Sequence, residues 1–200
     1  MMIKDWKKDI LTIPNLLSLF RLVLIPVYVV IYLNATQTVH YYIAGGILAV
    51  SCLTDMIDGK IARHFNMIST VGKILDPIAD KATQFTLTVC LAIRYPVLWI
   101  IVSLFVLKEG FQLIAGFLTL RKGKMLTGAL LSGKICTTIL FVSLIVLVLV
   151  PQLSEDVVGI VAIIDGIFML VAFADYIRTY YMHTPMIQNL EDQDKTNSPE

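Results

Sequence analysis

Six apolar stretches decide what this chain can fold into. They lie near residues 13–33, 40–62, 74–94, 97–119, 128–150 and 157–180. Each is about 20 residues or longer, enough to cross a hydrocarbon core of about 30 Å at about 1.5 Å per residue. Inside lipid there is no water to satisfy backbone N–H and C=O groups, so such segments must be helical. Composition agrees: 57% of the 200 residues are hydrophobic, against about 45–50% in soluble domains. The sequence therefore predicts an all-α integral membrane protein with six transmembrane helices.

The breaks between spans carry turn and polar residues: NATQTV at 34–39, RYP at 94–96, RKGK at 121–124 and PQLSED at 151–156. A short N-terminal segment, 1–12, precedes the six-helix domain, 13–182. Trp6 with Lys4, Lys7 and Lys8 gives it the pattern of a helix lying at the membrane interface. The first long apolar run lacks a small-residue cleavage site and reads as a retained span. The segment 183–200 is polar and is expected to be a disordered tail. Cys52, Cys90 and Cys136 all fall inside apolar runs without metal-ligand spacing, and read as small buried hydrophobes.

Charge fixes an orientation. Of the 16 Lys and Arg residues, only Arg94 falls near the side opposite the N-terminus. The breaks 34–39 and 151–156 contain neither residue type. The positive-inside rule then puts both termini and residues 55–80 at the cytoplasmic face of the cell membrane. The net charge of +1 points to no nucleic acid or other charged macromolecule.

Residues 55–80 interrupt the apolar pattern with four carboxylates, Asp55, Asp58, Asp76 and Asp80. The first pair is spaced i,i+3 and the second i,i+4. Both spacings put two side chains on one helix face, roughly 5–6 Å apart at Cβ. A charge within a span costs at least about 2.5–3.5 kcal/mol, so four of them need a counter-charge. An all-oxygen donor set suits Mg²⁺ or Mn²⁺. Four carboxylates match two such ions in charge, the arrangement used for displacement at phosphorus. Gly59 and Ala62 would let a bulky ligand approach the helix, and Arg63 can fork onto phosphate oxygens. Ser69 offers a hydroxyl, and Gly72 permits a turn or a close contact. Asp76-Pro77 reads as an N-cap followed by proline at the first helical position.

The same stretch fits the spacing D-x2-D-G-x2-A-R-x8-G-x3-D-x3-D at every fixed position: Asp55, Asp58, Gly59, Ala62, Arg63, Gly72, Asp76 and Asp80. It resembles the signature of the CDP-alcohol phosphotransferase family. The resemblance implies a six-span membrane enzyme, working as a homodimer. Such an enzyme transfers a substituted phosphate from a CDP-linked donor to an alcohol and releases CMP. By resemblance Asp55, Asp58, Asp76 and Asp80 hold two divalent cations, and Asp80 is also the general base on the acceptor. Gly59, Ala62, Arg63, Ser69 and Gly72 form the CDP side of the site.

Outside the motif, IPNLLSLFRLVLIP at 13–26 is similar to the opening of the bacterial phosphatidylglycerophosphate synthase group. Asn15, Ser18 and Arg21 share a helical face there, and Arg21 within a span requires a partner. Lys108-Glu109 resembles an Arg-Glu pair of that group, and Gly133-Lys134 its Gly-Lys-x-Lys-Thr element. Gly116 and Cys136 stand where two further cations are expected. Asn15, Arg21, Lys108 and Lys134 are thus the candidate contacts to the acceptor or the lipid phosphate. The resemblance points to CDP-diacylglycerol as donor and glycerol 3-phosphate as acceptor, within the lipid membrane. Within the family the alternatives are a cardiolipin-type synthase and an inositol-phosphate or serine transferase. Outside it, an ion-coupled transporter would also carry intramembrane carboxylates, but no inverted repeat supports one.

Overall fold

The computed structural model describes residues 12–64, 72–121 and 131–196, without the side chains at 55, 56, 58–64, 73, 74, 120, 121 and 182–196. The expected interfacial segment therefore lies, save for Thr12, outside the described residues. The described chain is all-helical: α1 (Ile13–Leu33), α2 (Thr38–His64), α3 (Gly72–Arg94), a 3-10 turn (Pro96–Leu98), α4 (Trp99–Arg121), α5 (Leu131–Leu149) and α6 (Glu155–Thr196). These helices coincide with the six apolar stretches. The last runs further than composition suggests, to Thr196, through most of the polar segment expected as a tail.

Among the described residues, four helices are long and apolar enough to cross a membrane: Ile13–Leu33, Pro96–Thr119, Leu131–Leu149 and Glu155–Tyr181. The other two have their charges crowded at one end. In α2 the uninterrupted apolar part is Thr38–Thr54, after which Asp55, Asp58, Lys60 and Arg63 follow. In α3, Lys73, Asp76, Asp80 and Lys81 all fall in the first ten residues.

Each helix is built by ordinary local rules. Thr12 caps α1, its hydroxyl accepting from the Asn15 N–H at 3.4 Å, with Pro14 in the first turn where no N–H is missed. α3 starts at Gly72, so Pro77 lies inside the helix and Asp76 is not its N-cap. The proline removes only one bond there, the one to the carbonyl of residue 73 one turn back.

The chain divides into two compact units. The first comprises residues 1–99 and 141–159. In it α1 packs along both α2 and α3. The inward face of α1 is largely polar or aromatic (Asn15, Ser18, Arg21, Tyr28 and Tyr32), whereas Val23, Val27 and Val30 face outward. This is the reverse of a soluble amphipathic helix and is what a lipid-facing exterior requires. Gly45 lets α2 meet the end of α5, since a Cβ there would lie 2.3 Å from Leu149 Cδ2. At the end of α3, Arg94 donates to the Pro151 carbonyl at 2.7 Å and lies over the Tyr41 ring at 4.5 Å. The Tyr95 hydroxyl donates to the same carbonyl at 3.2 Å. Arg94 is thus a structural tie between a helix end and the 150–154 turn.

The second unit comprises residues 100–140 and 160–200. Phe111 is its aromatic centre, meeting Phe173, Tyr176 and Tyr180 edge-on with centroids 5.4–6.3 Å away. Ser132 on α5 donates to Asp175 on α6 at 2.5 Å. Cys90 and Cys136 are buried and Cys52 half-buried, as expected for small apolar fillers.

Neighbouring glycines on α2 give a paired test of the first unit. Gly45 is buried against Leu149, whereas Gly46 is exposed with open space around its Cβ position. Gly45→Leu should cost about 1–3 kcal/mol by overpacking, read as a lower Tm in detergent. Gly46→Leu should leave Tm close to the parent value.

Candidate active site

The site is assembled on the first unit from one buried cation and two carboxylates. Arg21 sits about 12 Å along α1 from its start and is 2% exposed. A guanidinium cannot shed its charge at this depth, so it must be paired. It forks across two partners on α3: one terminal nitrogen donates to Asp76 Oδ1 and the other to Asp80 Oδ1. The i,i+4 spacing of these aspartates puts both on one face of α3, one turn apart, where a single planar fork reaches both.

Ser18, one turn before Arg21, completes the arrangement. Its hydroxyl lies 3.1 Å from the Pro14 carbonyl and 3.2 Å from Asp76 Oδ1, either of which can take its proton. Arg21 Nη2 also donates to the Ser18 oxygen at 3.5 Å. Asn15 is buried on the same face of α1. The acidic side is more open: the Asp76 and Asp80 side chains are 43% and 44% exposed. Two accessible carboxylates held at one point form a hard, all-oxygen donor set of the kind that suits Mg²⁺ or Mn²⁺. Among the described residues, no cluster of three or more His, Cys, Asp or Glu converges.

Beside Arg21 a narrow cleft, with room for little more than a water molecule, lies between α1, α2 and α3. Tyr28, Ser51, Thr83 and Thr86 give it polar lining among leucines and isoleucines. The Thr83 hydroxyl donates back to the Ala79 carbonyl at 2.8 Å, the usual way a helix absorbs a buried threonine. The Tyr28 hydroxyl is buried without a hydrogen-bond partner among the described residues. Nothing in the residue pattern marked this cleft, because its members come from three helices and none is charged except Arg21.

The expected site residues are distributed as follows. Asp76, Asp80 and Arg21 are brought together. Gly72 is the first residue of α3. Asp55, Asp58, Gly59, Ala62 and Arg63 lie in the last part of α2, on the stretch whose side chains are outside the described set, apart from Ile57. Ser69 lies outside the described residues. Lys108 and Lys134 belong to the second unit. Lys108 is 7% exposed and its ammonium donates to Glu109 at 2.6 Å. Lys134 is exposed, and its carbonyl accepts from the Thr137 and Thr138 hydroxyls at 3.0 and 2.9 Å. Cys136 is buried within electrostatic range of Lys108 and Asp165. Sequence spacing showed that Arg21 needed a partner, but not that the partners would be Asp76 and Asp80.

Comparison with known proteins gives the family. The family model for CDP-alcohol phosphatidyltransferase matches residues 11–175, which contain every residue of the site. A protein of Mycobacterium tuberculosis named putative cardiolipin synthase is 37% identical over 111 residues, covering 56% of this chain and 51% of that protein. The CDP-diacylglycerol–glycerol-3-phosphate 3-phosphatidyltransferase of Escherichia coli is 38% identical over 89 residues, covering 44% of this chain and 48% of the relative. A cardiolipin synthase (CMP-forming) / mitochondrial hydrolase fusion protein of Schizosaccharomyces pombe is 39% identical over 90 residues, 44% of this chain and 14% of the fusion. The chain thus spans about half the length, or less, of these curated relatives. With a family match over residues 11–175, most of its length, the chain belongs to the CDP-alcohol phosphatidyltransferase family.

Proposed function

We propose that the chain transfers a phosphatidyl group from CDP-diacylglycerol to glycerol 3-phosphate, giving phosphatidylglycerophosphate and CMP. The observation that carries the reading is the intact acidic signature, with Asp76 and Asp80 held together and accessible on α3. The relative named for this reaction in Escherichia coli supports the choice of donor and acceptor.

In this reading all six helices cross the cell membrane, with α2 and α3 bringing their charged ends to the cytoplasmic face. The absence of Lys and Arg from the 34–39 and 151–156 breaks supports that orientation. Association as a homodimer comes with the family resemblance. Two divalent cations, held by Asp55, Asp58, Asp76 and Asp80, would neutralise the diphosphate of the donor and acidify the acceptor hydroxyl. Gly59, Ala62, Arg63, Ser69 and Gly72 would receive the CDP moiety, Arg63 through its planar fork on phosphate oxygens. Asp80 takes the proton from the acceptor hydroxyl as that oxygen bonds to the lipid-linked phosphorus. The bond from phosphorus to the CMP oxygen breaks, and CMP leaves to the cytoplasm.

Observations in the second unit favour a further reading of the acceptor. Lys108 is committed to Glu109, and Cys136 is buried where a cation is expected. Glycerol 3-phosphate carries a doubly charged phosphate, whereas phosphatidylglycerol carries a single charge. Phosphatidylglycerol, giving cardiolipin, is therefore the second acceptor, in line with the name of the mycobacterial relative.

Purified protein with CDP-diacylglycerol and Mg²⁺ or Mn²⁺ should release CMP when glycerol 3-phosphate is added, and should stop when EDTA removes the metal. Release with phosphatidylglycerol alone would replace the first acceptor by the second. No release with any alcohol, while the protein binds donor and metal, would sink the enzyme reading. Asp80→Asn should lower the rate by about 10²–10⁴-fold with CDP-diacylglycerol still bound. Undiminished turnover would remove Asp80 from the role of base.

A further inference from the structure

We propose that Arg21 is the built-in counter-ion of the acidic site: it offsets half the charge of the Asp76–Asp80 turn before a divalent cation arrives, and competes with that cation for the same two carboxylates. The inference rests on the reading of Asp76 and Asp80 as cation ligands.

Three observations carry it. The guanidinium is buried, yet both of its partners are about half exposed, so the charge is supplied from the interior to groups that open outward. Its two terminal nitrogens go to different aspartates, one turn apart on α3, rather than both to one. Ser18 braces the same arrangement, touching Arg21 on one side and Asp76 on the other. A bidentate pair with a single aspartate would tie α1 to α3 equally well. Sharing the cation between two carboxylates instead relieves the repulsion between them, which is the task a metal ion would otherwise perform.

The charge count makes the competition productive. With the four motif carboxylates and Arg21 alone the site is negative and would repel a nucleotide diphosphate. With two divalent cations added it becomes positive, because the cations match the four carboxylates in charge and the buried Arg21 adds one more. Arg21 therefore weakens metal binding, and in exchange leaves the loaded site with a surplus positive charge for an anionic donor. An aliphatic residue at position 21 would pack the α1–α3 contact without either effect.

The test is a Mn²⁺ titration of the full chain in detergent, followed by electron paramagnetic resonance of the free ion, together with Tm in EDTA and in saturating Mn²⁺. Arg21→Gln should lower Tm in EDTA more than in Mn²⁺, and should shift the binding midpoint to about tenfold lower Mn²⁺ through loss of the competing charge. Arg21→Lys keeps the charge but serves one carboxylate at a time. Its midpoint should fall between the two, and it decides the matter if Arg21→Gln does not fold. A midpoint in the variant that folds equal to, or weaker than, that of the parent protein overturns the inference. Parent protein that binds no Mn²⁺ overturns the metal reading and the inference together, whereas parent binding with no tightening in the variants overturns the inference alone.

Discussion

A guanidinium buried on α1 and shared by two aspartates on α3 is the interaction on which the first unit depends. Around it the helices present valines, leucines and isoleucines outward, and these place little demand on one another, because lipid solvates them as well as a neighbour does. The buried charge is different. Removing either side leaves a charge in a low-dielectric place, at a cost of about 3–5 kcal/mol for a buried pair. The partial exposure of Asp76 and Asp80 reduces that figure, and it is also what makes them usable by a ligand. Stability and access therefore pull against each other at the same two residues. The compromise is a cation inside and an opening outside.

Much of this was legible in the sequence, for a physical reason. Lipid leaves a backbone almost no alternative to the helix, so the apolar runs locate α1 to α6 with little ambiguity. Charges are equally legible as positions, since each one must be explained: Arg21, Asp76 and Asp80 stood out for that reason. What spacing could not supply was their partnership, which joins residues 55 and 59 positions apart in the chain. The Asp76-Pro77 pair shows the opposite failure. Local chemistry pointed to a helix start, but α3 begins at Gly72, because a proline near the first turn costs one carbonyl contact and no more. At the far end α6 continues into a polar segment, to Thr196. Arg94 looked like an exception to the charge asymmetry, and the structure gives it a purpose, tying the end of α3 to Pro151.

The acceptor question has the same physical form as the Arg21 question: which cations are already committed. Arg21 is spent on carboxylates in the first unit. Lys108 is spent on Glu109 in the second, and neither Gly116 nor Cys136 can supply a charge. A phosphorylated acceptor bound at neutral pH brings close to two negative charges with it. On the proposed reading those charges must be met by the divalent cations, by Lys134, which is exposed, or by the Arg121, Lys122 and Lys124 stretch. Lys134, being exposed, remains hydrated and screened, and contributes less to affinity than a buried fork would. The chain's departures from the synthase pattern, at Gly116 and Cys136, thus fall among the positions expected to meet the acceptor, whereas the donor-side signature at residues 55–80 is complete.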